Sequence, residues 1–565
     1  MEAELRIGKY FTFFMWLFSS WCIEVVNVMV CDHLGLNENE DCRTLGVTDR
    51  NDIGPKITLR AVNFRLYLTA KNTEKCMKSN SLGYSAHCQQ ELETDRPIAG
   101  FINFCPTPFN RLIDMSQVTY FVKHEVLHIL GFSPNLYAFF RDADGQPLTA
   151  RQPKSGNPAL GWLNSRRGIY QWSEEIIRTV YRNWTSALGV FRKKAHLVVT
   201  PNVLSLAKKY FDCPSLEGVE LEDQGKLGVS LSHWKMRILG NELMTASYTN
   251  AFRLSNLTLA FLEDTGWYRP NYSLAQHLAW GSKRGCIFST QSCYSYMLDQ
   301  LSRNADIAPF CVHPEFESEG SHFACTPDRR SFGYCNLVRK EFGQNASNIH
   351  PMFVYFGNTS RIRHLGKIIP RDCFGKMDLA DFCPFIQEIT WTDGNGAPLR
   401  SSQCDDLHNS EVITTSTNYN LEVFGPRSIC LPIATNWTLI GANSTHFGAP
   451  IRGAACYQLK CSLSEGGLIL ELSGGLRVLC GRGVQKTPVN ISVCLREPAL
   501  TVSGSFHCPK CTSFCDVRYV SLPSRFGFER SEGDRSPMED VSYYFYNPLR
   551  SFIVPETNSL KCLVS

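Results

Sequence analysis

The chain has 565 residues, 43% of them hydrophobic, and its 57 basic against 53 acidic side chains leave a formal net charge of +4. So small a charge on so long a chain gives no overall footprint for nucleic acid or for an anionic membrane. Its 24 cysteines exclude an ordinary reduced cytosolic protein and point to disulfides formed in an oxidising compartment.

In chain order, Lys9 precedes the apolar run Tyr10–Trp21, which has signal-peptide length and is shorter than a membrane span. Val25–Val30 adds apolar residues after Glu24. Residues 1–24 therefore read as a signal peptide or an uncleaved signal anchor, the second giving a membrane association. Asn63–Thr69 and Ile98–Phe104 read as strands, from clustered or alternating apolar residues. A helix is predicted over Met115–Leu130. Asp114 and Gln117 form a capping-box pattern, and Val118, Phe121, Val122, Ile129 and Leu130 recur near helical spacing. Gly131 suits a left-handed terminating turn, and Pro134 prevents resumption.

That helix carries His124-Glu125-Val126-Leu127-His128. Residues four apart share a helix face, so the two imidazoles can grip one metal, and Glu125 stands where a carboxylate reaches a metal-bound water. Two satisfied core histidines beside a paired glutamate are the plainer alternative. Catalytic zinc usually takes three protein ligands and leaves the fourth position for water. Gly131 fits the metzincin pattern, but Pro134 stands where its third histidine would fall. The missing ligand is sought downstream, among His196, His233 and His277.

Here a family resemblance bears on the choice. Ser232-His233-Trp234-Lys235-Met236-Arg237 followed by Asn241-Glu242-Leu243-Met244-Thr245 is similar to leishmanolysin-type peptidases. So are Ala86-His87-Cys88-Gln89-Gln90, Asp95-Arg96-Pro97-Ile98-Ala99-Gly100, Glu263-Asp264-Thr265-Gly266-Trp267-Tyr268, Asp381-Phe382-Cys383-Pro384-Phe385 and Cys508-Pro509-Lys510-Cys511. The resemblance covers residues 60 to 515, and the animal leishmanolysin-like branch fits best. It implies that His124, His128 and His233 ligate one zinc ion, that Glu125 is the catalytic base, and that Met244 forms a methionine turn beneath the metal. The implied reaction is peptide-bond hydrolysis by zinc-activated water, with Glu125 returning the proton to the leaving amine. An extended substrate is expected to pair with an edge strand beside the helix, and Asn63–Thr69 and Ile98–Phe104 are the two candidates.

The resemblance also implies a propeptide cysteine that caps the metal in the zymogen. Cys31 beside Asp32 is its candidate, with an ordinary disulfide as the alternative. Because family members carry more sequence ahead of the active-site helix, the chain reads as shortened at its N-terminus.

Between the two metal-ligand segments, Ser173–Tyr181 reads as an amphipathic helix. Asp142-Ala-Asp144-Gly145 resembles the start of a calcium loop, but Pro153 at position twelve favours a polar turn. Beyond residue 280, Leu468–Leu472 and Leu476–Leu479 read as short strands among Gly, Asn and Ser clusters. Sixteen cysteines lie from Cys286 to Cys515, an even number that could all pair within that region. Cys508, Cys511 and Cys515 are read as disulfide partners in preference to a second zinc site. Cys562 is the odd thiol. Eight Asn-X-Ser/Thr sequons, at Asn183, Asn256, Asn271, Asn345, Asn358, Asn436, Asn443 and Asn490, mark glycosylation candidates. The last ten residues are not a hydrophobic tail, so no GPI signal is expected.

The expected architecture is α+β, a metzincin-like catalytic domain with mixed sheet and active-site helix, followed by a disulfide-rich, mostly β C-terminal domain. Expected boundaries are 1–24, 25–135, 136–279, 280–515 and a polar tail, 516–565. The expected protein is a secreted or cell-surface glycoprotein that cleaves extracellular proteins and binds no nucleic acid. A catalytically silent adhesion or decoy protein on the same scaffold is the alternative.

Overall fold

A computed structural model of the chain describes residues 27–30, 64–79, 81–109, 115–225, 228–247, 249, 251–313, 323–339, 349–364, 366–393, 398–413, 418–441, 446–448, 453–462, 467–481, 489–495 and 500–509. The chain divides into two compact units, Met1–Val312 with Leu337–Pro384, and His313–Asn336 with Phe385–Ser565. Asp114, Cys31 and Cys562 lie outside the described residues.

The first unit opens with a mixed sheet of β1 (Asn27–Val30), β2 (Arg65–Thr69), β3 (Gly83–Gln90) and β4 (Pro97–Phe104), in the order β1-β2-β4-β3. β1, β2 and β4 run parallel, and β3 runs antiparallel to β4 at the edge. A short helix α1 (Glu74–Ser79) leads into β3. Both strands offered as the substrate edge are therefore interior, since β2 and β4 each have two neighbours. The edges are β1 and β3, and β3 is the one on which the helix of Met115–Leu130 packs. Its Tyr84-Ser85-Ala86-His87 mixes polar with apolar residues, because a strand pairing on one side only need not bury both faces and so lacks the apolar run that marks a covered strand. Asn27–Val30, the end of the second N-terminal apolar run, is a strand. Among the described residues no helix is long and apolar enough to cross a membrane.

Helix α2 (Met115–Leu130) packs on this sheet. Val118, Val122, Val126, Leu127, Ile129 and Leu130 are buried, each burial contributing about 1.5–3 kcal/mol. Gly100 of β4 permits the close approach, for a Cβ there would lie 2.3 Å from Ile129 Cγ2. Gly131 ends the helix differently from expectation. It does not adopt a positive φ; its lack of a side chain makes room for Thr265, whose Cγ2 would lie 3.1 Å from a Cβ.

Then come a short hairpin, β5 (Trp162–Asn164) and β6 (Ile169–Tyr170), and a long one, β7 (Ile177–Ser186) with β8 (Gly189–Val198), extended by β9 (Val219–Glu220). The helix expected over Ser173–Tyr181 is thus a turn leading into a strand. Ile177, Thr179 and Val180 are β-branched and Tyr181 aromatic, residues that favour an extended pleat, and ten cross-strand pairs outweigh the local helical spacing. Helices α3 (Pro201–Phe211) and α4 (Asn256–Asp264) complete the core of this part. Asp142 makes the expected polar turn, its Oδ1 accepting from the N–H groups of Asp144 and Gln146.

The second unit is mostly β. Ser428–Gly441 is the long central strand of a seven-stranded antiparallel sheet around Leu431, Trp437, Tyr457, Leu470 and Phe506. Gly467–Leu472 and Leu476–Gly481 form the expected hairpin. Cys325–Cys430, Cys404–Cys456 and Cys480–Cys508 staple the unit. The first unit has Cys76–Cys105, Cys213–Cys286 and Cys293–Cys383. The expected closed set of sixteen cysteines is overturned. Cys286 reaches back to Cys213, and Cys373 is a buried free thiol. Cys508 pairs with Cys480, which agrees with a disulfide reading and leaves it unavailable to a second metal.

Candidate metal centre

α2 places His124 and His128 one turn apart, ring centroids 4.6 Å from each other, and His233 arrives opposite them from an irregular segment. The Nε2 atoms of His124 and His128 are 3.0 Å apart, and those of His124 and His233 are 3.2 Å apart. Each Nδ1 faces a backbone carbonyl: Leu243 O for His124 (2.7 Å), Phe132 O for His128 (2.8 Å) and Val229 O for His233 (2.9 Å). A carbonyl only accepts, so each Nδ1 carries the proton and each Nε2 presents a lone pair. Three lone pairs converge with no proton between them. Such a set repels itself unless a cation sits among it, and three neutral imidazoles with oriented outer nitrogens suit zinc.

The electrostatics keep His128 and His233 neutral. Burial pushes His233 down to about 3, helped by His124 and opposed by the Val229 carbonyl. Burial, then His124 and His233, holds His128 well below the ordinary range. Glu125 is buried, and burial raises its carboxyl above the usual range, opposed by His124, Ser85 and Lys75. An upward shift suits a general base working near neutral pH. Ser85 of β3 donates its hydroxyl to the Glu125 carbonyl at 2.8 Å, tying the edge strand to the helix beside the histidines.

Among the described residues this is the one group of three or more His, Cys, Asp or Glu side chains that could hold a metal. His196 lies on β8, its Nδ1 3.1 Å from Thr179 Oγ1, and His277 is exposed; neither joins the cluster. Met244 is fully buried. Its carbonyl accepts the N–H of Trp234, next to His233, while the preceding carbonyl, Leu243, holds His124. The turn therefore links two of the three histidines through its backbone.

Two features were not read from sequence. The first is Glu242, whose buried carboxylate accepts from Met244 N–H (2.5 Å), Ser255 N–H and Oγ, and Thr258 Oγ1, with Thr258 Oγ1 accepting in turn from Trp234 Nε1. The second is a buried charge cluster behind His233. Asp381 accepts from Lys193 (2.9 Å), Lys235 (2.9 Å) and Arg237 (3.1 Å). Lys235 also pairs with Glu222 and Asp223, and Arg237 and Lys193 with Glu220. The Glu222 N–H donates to the His233 carbonyl. The signal was in view, because Lys235 and Arg237 stand two and four residues after His233 and Asp381 opens one of the family motifs. Helical and strand spacing carry no information about a pairing so distant in sequence.

A histidine pair four apart on a helix with a glutamate between them, a third histidine from a distant segment and a buried methionine turn define a metallopeptidase site on an α+β fold. Residues 45–520 match the leishmanolysin family, and the chain belongs to that family. It is 35% identical over 501 residues to a leishmanolysin-like peptidase of Drosophila pseudoobscura pseudoobscura, covering 86% of this chain and 69% of that one. To a leishmanolysin-like peptidase of Caenorhabditis elegans it is 36% identical, again over 86% and 69%. A mouse ciliated left-right organizer metallopeptidase is 33% identical over 235 residues, 41% of this chain and 29% of that protein.

Proposed function

We propose that the protein is a secreted or cell-surface zinc endopeptidase that hydrolyses extracellular proteins. The convergence of the three Nε2 atoms beside the Glu125 carboxylate carries this reading. His124, His128 and His233 hold the ion, which supplies Lewis acidity toward a water and a peptide carbonyl when bound. Glu125, kept partly protonatable by burial, takes the proton from the attacking water and delivers it to the departing amine. Substrate lies extended along β3, which among the described strands pairs with β4 alone and so offers a backbone ladder for strand addition. Export is supported by disulfides in both units, such as Cys76–Cys105 and Cys325–Cys430, and by the exposure of the sequon asparagines Asn183, Asn256, Asn271 and Asn358.

The test is cleavage of an unfolded protein by the chain expressed through a secretory route. Activity is expected to disappear with a zinc chelator, and Glu125→Gln is expected to cut it about 10²–10⁴-fold with metal content unchanged. Folded, zinc-loaded protein that shows no turnover, even after limited proteolysis, sinks the enzyme reading and favours the silent adhesion or decoy role.

A further inference from the structure

We propose that the β5–β6 hairpin docks the protein onto membranes that carry anionic phospholipid. This goes beyond the proteolytic reading and does not depend on it.

The hairpin keeps apolar groups in water. Leu160, Trp162 and Leu163 are 54%, 52% and 47% exposed, an arrangement that burial of apolar area disfavours unless something covers it. Its tip is basic: Arg166 and Arg167 are exposed and have no acidic partner among the described residues. Lys154 adds a third exposed cation, and no Asp or Glu occurs between Asp144 and Glu174. The near-neutral balance of the whole chain conceals this local bias. A tryptophan and leucines beside unpaired arginines match a headgroup layer, where the apolar side chains enter the acyl boundary and the cations meet lipid phosphate.

The hairpin is rigid and firmly mounted. Trp162 stacks on Tyr170 with centroids 3.8 Å apart. The Asn164 side chain accepts from Arg167 N–H, and Gly168 takes the left-handed φ of 65° that closes the turn. Asn135, just beyond α2, donates to the Arg167 carbonyl at 2.9 Å. Tyr170 packs edge-on against Phe139, and the neighbouring Trp172 against Tyr137, whose hydroxyl donates to the Leu231 carbonyl at 2.6 Å. The mount thus reaches the chain on both sides of the metal centre, after His128 and before His233. Docking through this hairpin fixes the orientation of the histidine site relative to the membrane.

Flotation of the full secreted chain with phosphatidylcholine vesicles, with and without about 30% phosphatidylserine, tests the proposal. Binding is expected to the anionic vesicles alone and to weaken as salt rises. Arg166→Ala with Arg167→Ala is expected to weaken it about 25-fold, about fivefold per basic side chain. Leu160→Ala with Leu163→Ala, which spares the Trp162–Tyr170 stack, is expected to weaken it about tenfold. Both variants change exposed side chains, so thermal unfolding and cleavage of a short peptide should be unchanged. Wild-type protein that ignores anionic vesicles overturns the proposal. Variants that float like the wild type also overturn it, assigning any binding to another segment such as the N-terminal apolar run. Unchanged flotation with selective loss of protein but not peptide cleavage makes the hairpin a substrate contact instead.

Discussion

His124 and His128 stand on one helix, packed on its own neighbouring sheet through Ile129 and Gly100, whereas His233 stands on an irregular segment backed by seven charges, six of them buried, from four stretches of chain. The first pair is oriented by local geometry, since a helix puts positions four apart on one face wherever it forms. The backbone that carries the third is held by long-range electrostatics, which exist only once Lys193, Glu220, Glu222, Asp223 and Asp381 have gathered around Lys235 and Arg237, while its ring takes its carbonyl locally from Val229. One metal centre thus joins a side that tolerates small perturbations and a side in which a single charge deletion is severe.

The largest effect expected to sharpen this contrast is Asp381→Ala. It leaves Lys193, Lys235 and Arg237 buried with one carboxylate fewer, and unbalanced buried charge costs about 3–5 kcal/mol. Denaturant unfolding should record that loss, and chelator competition should show faster metal release from the variant. A change below about 1 kcal/mol would mean that the cluster does not hold the third histidine.

Acid should separate the two sides next. His233 is neutral in the fold down to about 3, while an unfolded histidine takes a proton near 6.5. The unfolded metal-free chain therefore binds the extra proton, and stability falls as pH drops from about 6.5 toward 3, by at most about 1.4 kcal/mol per pH unit. Asp381 behaves differently. Its three cations overcome burial and hold its carboxyl well below the usual range. Its contribution is present above about 4, the unfolded value, and disappears only in stronger acid. Metal-free His233→Leu should have a flatter stability profile between pH 6.5 and 4.5 than wild type; equal slopes would contradict the assignment.

Glu242→Gln comes third. Glutamine has one accepting oxygen and a nitrogen that only donates, so it cannot accept from both Met244 and the Ser255–Thr258 donors, and at least one buried donor is orphaned at about 1–3 kcal/mol. Ser85→Ala is the smallest, about 1 kcal/mol for one hydrogen bond between β3 and α2. Under the proposed strand addition on β3, it should raise KM for long substrates more than it lowers kcat.

The contrast also explains what the sequence could disclose. Helix α2 was legible in its apolar spacing, and the two histidines came with it. Leu468–Leu472 and Leu476–Leu479 were legible because Gly474 and Gly475 punctuate them. His233 could be picked out only by family resemblance, for nothing local distinguishes it from His196 or His277. Ser173–Tyr181 was misread because ten cross-strand pairs with Gly189–Val198 decide that segment and lie outside any short window. Edge position is equally invisible along the chain. β3 is an edge because of what it pairs with, and that is a property of the whole sheet.

Asp381 has one more consequence, for the order of biosynthesis. It leaves the ribosome long after the three histidines, two residues before Cys383, whose disulfide partner is Cys293. A nascent chain halted short of it holds all three imidazoles while Lys235 and Arg237 still lack the carboxylate they share. The candidate metal site is therefore completed late in synthesis, after the segment that carries Asp381 has emerged and docked.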